Sequence, residues 1–136
     1  MCIRDSLIEA ARIGRGRIRE IREIDFEEYG ALIIPGGLGL LNNYRNSERV
    51  KACMTHFVSS RKPIAAMCAG IDFLRRFLGN DLLADETKDL TAESYCFDAG
   101  KNIYYTPAFR KTAGCHTAQM GINAMIDALC QAQTVR

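Results

Sequence analysis

The chain has 136 residues, 48% apolar and 25% charged, a composition that fits one globular domain around one core and gives no ground for disorder. Its net charge of +2, with Lys and Arg scattered along the chain, provides no electrostatic footprint for nucleic acid. The longest uncharged runs, around residues 29–44 and 63–71, contain Pro and Gly and fall short of the roughly 18 to 20 residues of a membrane span. Neither nucleic acid nor a membrane is an expected partner.

Residues 1–6, MCIRDS, read as a transposase adapter end translated in frame and are set apart from the fold. Arg4 and Asp5 also leave no room for a signal-peptide core. Residue 7 is then expected to lie inside a longer gene, with residues 7–136 forming the C-terminal part of a single domain. LIEAARIGRGRIREI predicts a short amphipathic helix through Ala11 and Arg12, broken by Gly14 and Gly16, with Ile18, Ile21 and Ile24 in more extended chain. Residues 31–34 are a short apolar, β-branched run closed by Pro35-Gly36-Gly37, the pattern of a fully buried strand.

Ser47 is placed to cap a helix whose Val50, Cys53, Met54, Phe57 and Val58 share one face and which ends before Lys62-Pro63. Residues 63–67 read as a second buried strand, and Ile71, Leu74, Arg75 and Leu78 continue as a helix to Gly79. Strands alternating with helices in this way imply crossovers, a parallel sheet and cover on both faces: an α/β class. Residues 80–94 show no period and read as loop. Residues 95–97 and 103–105 flank Asp98-Ala99-Gly100-Lys101-Asn102 as a hairpin, and Ala118, Ile122, Met125, Ile126 and Leu129 mark a C-terminal amphipathic helix.

Ligands of an open parallel sheet bind beyond the carboxyl ends of its strands. Gly36-Gly37 closes one strand here, and Met67-Cys68-Ala69-Gly70 closes another. A residue on a tight strand-to-helix turn projects from the sheet edge, which makes Cys68 a candidate nucleophile at an elbow. The amide end of the following helix favours the thiolate, and the N–H groups of Ala69 and Gly37 are placed to stabilise an oxyanion. Gly36 and Gly70 join them as oxyanion or substrate-binding positions. The competing reading of Cys68 is a small buried apolar residue at a bend.

The six cysteines (2, 53, 68, 96, 115 and 130) show no C-x-x-C spacing and come with two histidines, so no metal site is expected and a reduced, cytoplasmic setting is. Cys53 and Cys130 read as packing residues, and Cys96 and Cys115 as either packing or exposed thiols. His56 falls off the apolar stripe of its helix and reads as a solvated surface residue. His116 reaches a site only if its loop folds back. Glu27 and Glu28 precede a strand at its amino end, where carboxylates are solvated.

The stretches LIEAARIGRGRI, ALIIPGGLG with Asn43 after it, KPIAAMCA and NIYYTPAF resemble successive blocks of the glyoxalase family associated with isoprenoid biosynthesis, the "enhancing lycopene biosynthesis" proteins. That family lies within the ThiJ/PfpI group of class I glutamine amidotransferase-like proteins, and the likeness runs from residue 7 to about residue 130. It implies a flavodoxin-like three-layer sandwich with a mostly parallel sheet, a cysteine at the elbow, a Pro-Gly-Gly oxyanion loop and an acidic residue in the first strand–helix turn. Cys68 then carries over as nucleophile, with Gly37 and Ala69 as oxyanion donors. The acidic residue has no counterpart in this chain. At roughly 30 residues per βαβ unit, about 60 or more residues, with a strand from the middle of the sheet, are expected upstream. Ala69 follows the cysteine where many superfamily members have His, so a Cys-His-Glu triad for glutamine hydrolysis is not implied. Gly70-Ile71 stands where that family has Ala-Pro.

The expected activity is that of a cofactor-free glyoxalase-like enzyme converting small dicarbonyls such as glyoxal to hydroxy acids. The alternatives are a non-catalytic redox or stress-response protein on the same scaffold, for which an exposed low-pKa thiol also serves, and an inactive fragment. Homodimers are common in the resembled superfamily, and an unfilled sheet edge favours association.

Overall fold

The computed structural model describes residues 3–44 and 46–134, so Met1 and Cys2 of the adapter-like segment lie outside it. The two apolar runs form β1 (Leu32–Ile34) and β2 (Ile64–Met67), and the hairpin forms β3 (Cys96–Asp98) and β4 (Ile103–Thr106). They make one sheet in the order β1-β2-β4-β3, parallel from β1 to β4 and antiparallel only at β3. The register pairs Ile34 with Ala66 and Met67 with Thr106, which brings the carboxyl ends of three strands level at one edge.

The helices are α1 (Ile3–Ile13), α2 (Leu38–Asn43), α3 (Glu48–Ser59), α4 (Gly70–Leu78) and α5 (Cys115–Thr134). Ser47 caps α3, its Oγ accepting from the Val50 N–H at 3.3 Å. Successive strand residues face opposite ways. Ile34, Ile64, Ala66, Ile103 and Tyr105 therefore face α3 and α4, in a core with Cys53, Met54, Phe57, Ile71, Phe73 and Leu74. Ala65 and Tyr104 face the other way, against Met125 and Leu129 of α5. The result is a three-layer α/β sandwich of flavodoxin-like arrangement, with α3 and α4 on one side of the sheet and α5 on the other.

Several local expectations are corrected. β1 is not fully buried: Ile33 is 45% exposed, because β1 is an edge strand and α5 packs over β2 and β4 instead. Val58 lies at the margin of the α3 stripe and is exposed. Cys130 also faces solvent, since Leu129 takes the inward position on that turn of α5. Residues 80–94 form a succession of turns, yet Leu82, Leu83 and Ala92 are buried, so this connection is packed onto the core. The chain before β1 makes a 3-10 turn at Ile21–Glu23, where extended chain was expected, and another at Phe26–Glu28. Arg49 of α3 holds them: its Nε donates to the Ile21 carbonyl at 3.0 Å, its Nη2 to the Ile24 carbonyl at 2.5 Å, and its guanidinium lies 4.2 Å from the Phe26 ring centroid.

Candidate active site at the carboxyl edge of the sheet

Cys68 follows β2 directly and has φ +52°, a left-handed conformation that is uncommon for a residue with a Cβ. Ala69 then returns to right-handed geometry and Gly70 opens α4. Two residues thus convert strand to helix, and the thiol-bearing residue occupies the strained position. Its backbone is held by β4 on both sides. The Cys68 N–H donates to the Thr106 carbonyl at 3.0 Å, and the Tyr105 hydroxyl donates to the Cys68 carbonyl across a longer 3.5 Å. Cys68 is half-buried.

The Pro-Gly-Gly turn after β1 lies against this elbow. A Cβ on Gly36 would stand 2.6 Å from the Cys68 Cβ, 3.0 Å from the Met67 carbonyl oxygen and 3.2 Å from the Ala69 nitrogen, so only glycine permits the approach. Gly37 has φ +125° and starts α2 with no side-chain cap. Neither the Gly37 nor the Ala69 N–H donates in the turn and loop hydrogen bonds of the described residues. Gly70 is buried, and a Cβ there would meet the Ile34 carbonyl oxygen at 2.8 Å; its first requirement is therefore the close packing of α4 on β1. The elbow thus has Cys68, Gly36 and Ala69 in mutual proximity, with Gly37 next along the loop and Gly70 beneath.

Three further polar residues belong to this edge and were not singled out from the sequence. Arg110, in the 3-10 turn Ala108–Arg110 after β4, donates through Nη2 to Asp72 Oδ2 in the first turn of α4. Burial pushes the Tyr105 hydroxyl up, and Arg110 draws it back by charge and by a hydrogen bond, while the neighbouring Cys68 adds to the upward push. Arg110 and Asp72 thus form an ion pair, and Tyr105 bonds to the elbow through the Cys68 carbonyl. No sequence signal marks this arrangement, because the pairing that sets Thr106 opposite Met67 joins distant segments.

The histidines lie elsewhere in the network of contacts. His56 is not a solvated surface residue: its Nε2 is 3.2 Å from Lys62 Nζ, its Nδ1 is 3.8 Å from Glu27 Oε1, and its ring centroid is 5.9 Å from that of Phe26. This cluster sits at the amino ends of β1 and β2, because the turn around Phe26 folds over the side of α3. Glu27 is exposed but paired, with Lys62 at 3.3 Å. His116, the second residue of α5, is exposed and makes no hydrogen bond or ion pair among the described residues. Cys115 is an exposed thiol, and Cys96 is half-buried with its thiol pushed up to about 11, by burial first and by the Glu86 charge next. Among the described residues no group of three or more His, Cys, Asp and Glu side chains is placed to hold a metal ion, and no helix is long and apolar enough to cross a membrane.

Residues 18–83, which include β1, the Pro-Gly-Gly turn and the cysteine elbow, match the DJ-1/PfpI family. The crystal structure of an isoprenoid biosynthesis protein with an amidotransferase-like domain, from Ehrlichia chaffeensis, matches the fold with a TM-score of 0.80 at 25% sequence identity. The match covers 92% of this chain and 69% of that one.

Proposed function

The chain belongs to the DJ-1/PfpI (ThiJ/PfpI) superfamily, and from that premise we propose that it is a cofactor-free glyoxalase-like enzyme with Cys68 as its nucleophile. The observation that carries the reading is the left-handed Cys68 between β2 and α4, with Gly36 in contact. A buried packing cysteine has no need of a strained backbone, whereas an elbow uses it to lift the thiol clear of the sheet. The similarity to an isoprenoid biosynthesis protein from Ehrlichia chaffeensis favours the isoprenoid-associated glyoxalase branch that the sequence resembles.

The substrate is a small dicarbonyl, of which glyoxal is the simplest. The Cys68 thiolate adds to one aldehyde carbon, forming a C–S bond and moving the carbonyl π pair onto oxygen. The Gly37 and Ala69 N–H groups face that oxyanion. A base then takes the proton from the thiohemiacetal carbon and a proton returns to the neighbouring carbon, so that the adduct becomes a thioester of the hydroxy acid. Water cleaves the thioester, releasing glycolate and the free thiol. Carbon is oxidised at one centre and reduced at its neighbour, so the reaction needs no external oxidant or reductant. Glutamine hydrolysis is less well supported, since Ala69 follows the cysteine and His56 is engaged with Lys62 at the other end of the strands.

The test is glyoxal turnover to glycolate by the purified chain and by Cys68→Ala, alongside the rate of Cys68 alkylation against pH. Loss of turnover in the variant, with a Cys68 that alkylates readily in the wild type, is the expected result. Equal turnover in both proteins refutes the nucleophile. Selective oxidation of Cys68 at low peroxide with no turnover in the wild type assigns the scaffold to redox sensing instead.

A further inference from the structure

We propose that Tyr105, with the Arg110–Asp72 ion pair, is a positioning residue that aims the Ala69 N–H at the reacting oxygen. The inference rests on the reading of Cys68 as a nucleophile and of Ala69 as an oxyanion donor. It adds three residues to that site and says how they act.

The argument starts from the peptide unit joining Cys68 to Ala69. In a trans peptide the carbonyl and the following N–H lie in one plane and point opposite ways. Whatever holds the Cys68 carbonyl therefore sets the direction of the Ala69 N–H. The Tyr105 hydroxyl donates to that carbonyl, and the Cys68 N–H is held by Thr106, the next residue of the same strand. Two successive β4 residues thus contact both ends of a residue whose φ of +52° is strained and needs such restraint to persist. Ala69 lies on the Gly36 side of the unit, where the oxyanion is proposed to form.

Tyr105 is itself immobilised. Its ring belongs to the core packed under α4, with the residue only 2% exposed. At 3.5 Å the bond to the Cys68 carbonyl is long, and the buried ring sets its direction. The Arg110 charge acts on the hydroxyl, and Asp72 pairs with Arg110. The ion pair also ties the turn after β4 to the first turn of α4, the two segments between which the elbow is strung. Asp72 is thereby committed to a structural pair and is not the free base of the reaction. The sequence Asp72–Arg110–Tyr105–Cys68 carbonyl is a clamp on the geometry of one amide.

The variants are Tyr105→Phe, which keeps the ring and removes the hydroxyl, and Arg110→Met with Arg110→Lys beside it. Two readouts are taken: the nitrogen shift and hydrogen exchange of the Ala69 amide, and kcat and KM for glyoxal. In Tyr105→Phe the Ala69 signal shifts and exchanges faster while the Met125 and Leu129 amides do not change. The kcat falls on the order of 10- to 100-fold, as misaimed catalytic groups cost, with KM and the alkylation rate of Cys68 nearly constant. Arg110→Met repeats this in weaker form, and Arg110→Lys restores part of it. An unchanged Ala69 amide in both Tyr105→Phe and Arg110→Met overturns the clamp. So does a displaced Ala69 amide with undiminished kcat. A wild-type chain without turnover, but with an Ala69 amide that answers to Tyr105, refutes the glyoxalase reading and leaves the clamp standing.

Discussion

Gly36 and Cys68 follow different strands, and a Cβ on Gly36 would lie 2.6 Å from the Cβ of Cys68. The contact makes the loop after β1 and the elbow after β2 one structural unit. Gly36→Ala therefore has to move the thiol-bearing backbone, because the Met67 carbonyl oxygen at 3.0 Å closes the other direction. We expect a loss of about 1 to 3 kcal/mol in stability and an altered rate of Cys68 alkylation. Gly30→Ala is the control, since its Cβ meets only Gln133 Oε1 at 3.5 Å and a change within about 0.5 kcal/mol is expected. Urea unfolding of both variants decides the matter, and equal midpoints would remove the proposed contact.

Ser47 caps α3 through a single hydrogen bond to the Val50 N–H. Replacing it with Ala leaves that donor to water and should cost about 1 kcal/mol. Ser47→Thr, which keeps the oxygen, should recover most of this. The cap belongs to α3, which contributes no residue to the elbow, so Cys68 alkylation in Ser47→Ala should match the wild type. A change in reactivity there, with stability intact, contradicts the separation of helix capping from the site.

How much of this was legible in the sequence depends on the range of the interaction. β1, β2 and α4 follow from local patterns: a β-branched run, a Pro-Gly-Gly stop, and apolar residues at helical spacing up to Gly79. The elbow was legible for the same reason, as a cysteine between such a run and such a helix. α2 was not, because Gly37 offers no capping side chain and six residues are too few to establish a period. The Arg110–Asp72 pair joins residues 38 apart, and Arg49 reaches 25 and 28 residues back, distances at which composition and spacing carry no signal. Ile33 and Cys130 show a different limit. Periodicity assigns a residue to a face but not how far a neighbouring element covers that face.

Arg49 should be the main tie between α3 and the segment before β1. It is partly buried and donates two charge-assisted hydrogen bonds to backbone carbonyls, while its plane lies over Phe26. Lys keeps the charge but loses the fork and most of the stacking. Arg49→Lys should lower stability by about 1 to 3 kcal/mol and speed hydrogen exchange across residues 21–28, with the amides of β2 and β4 protected as before. Unchanged exchange in that segment would mean that the 3-10 turns are held by their own sequence.

Cys96 gives the chain an alkaline weakness whose sign can be worked out. Burial, with the Glu86 charge next in weight, raises its thiol from an ordinary 9.0 to about 11. Below pH 9 the thiol is protonated in both folded and unfolded chains and contributes nothing to the pH dependence. Between about 9 and 11 the unfolded chain releases the proton while the folded chain keeps it, so stability falls with rising pH through that window. Burial moves Cys53 and Tyr105 the same way, so they steepen the decline. Cys96→Val removes the largest thiol contribution and keeps an apolar side chain opposite Tyr105 in the β3–β4 register. The urea midpoint of this variant should decline less steeply than that of the wild type from pH 9 to 11, whatever its absolute value at pH 8. Parallel declines would show that Cys96 ionises as readily in the folded chain as in the unfolded one, and that its burial in the fold is shallower than described.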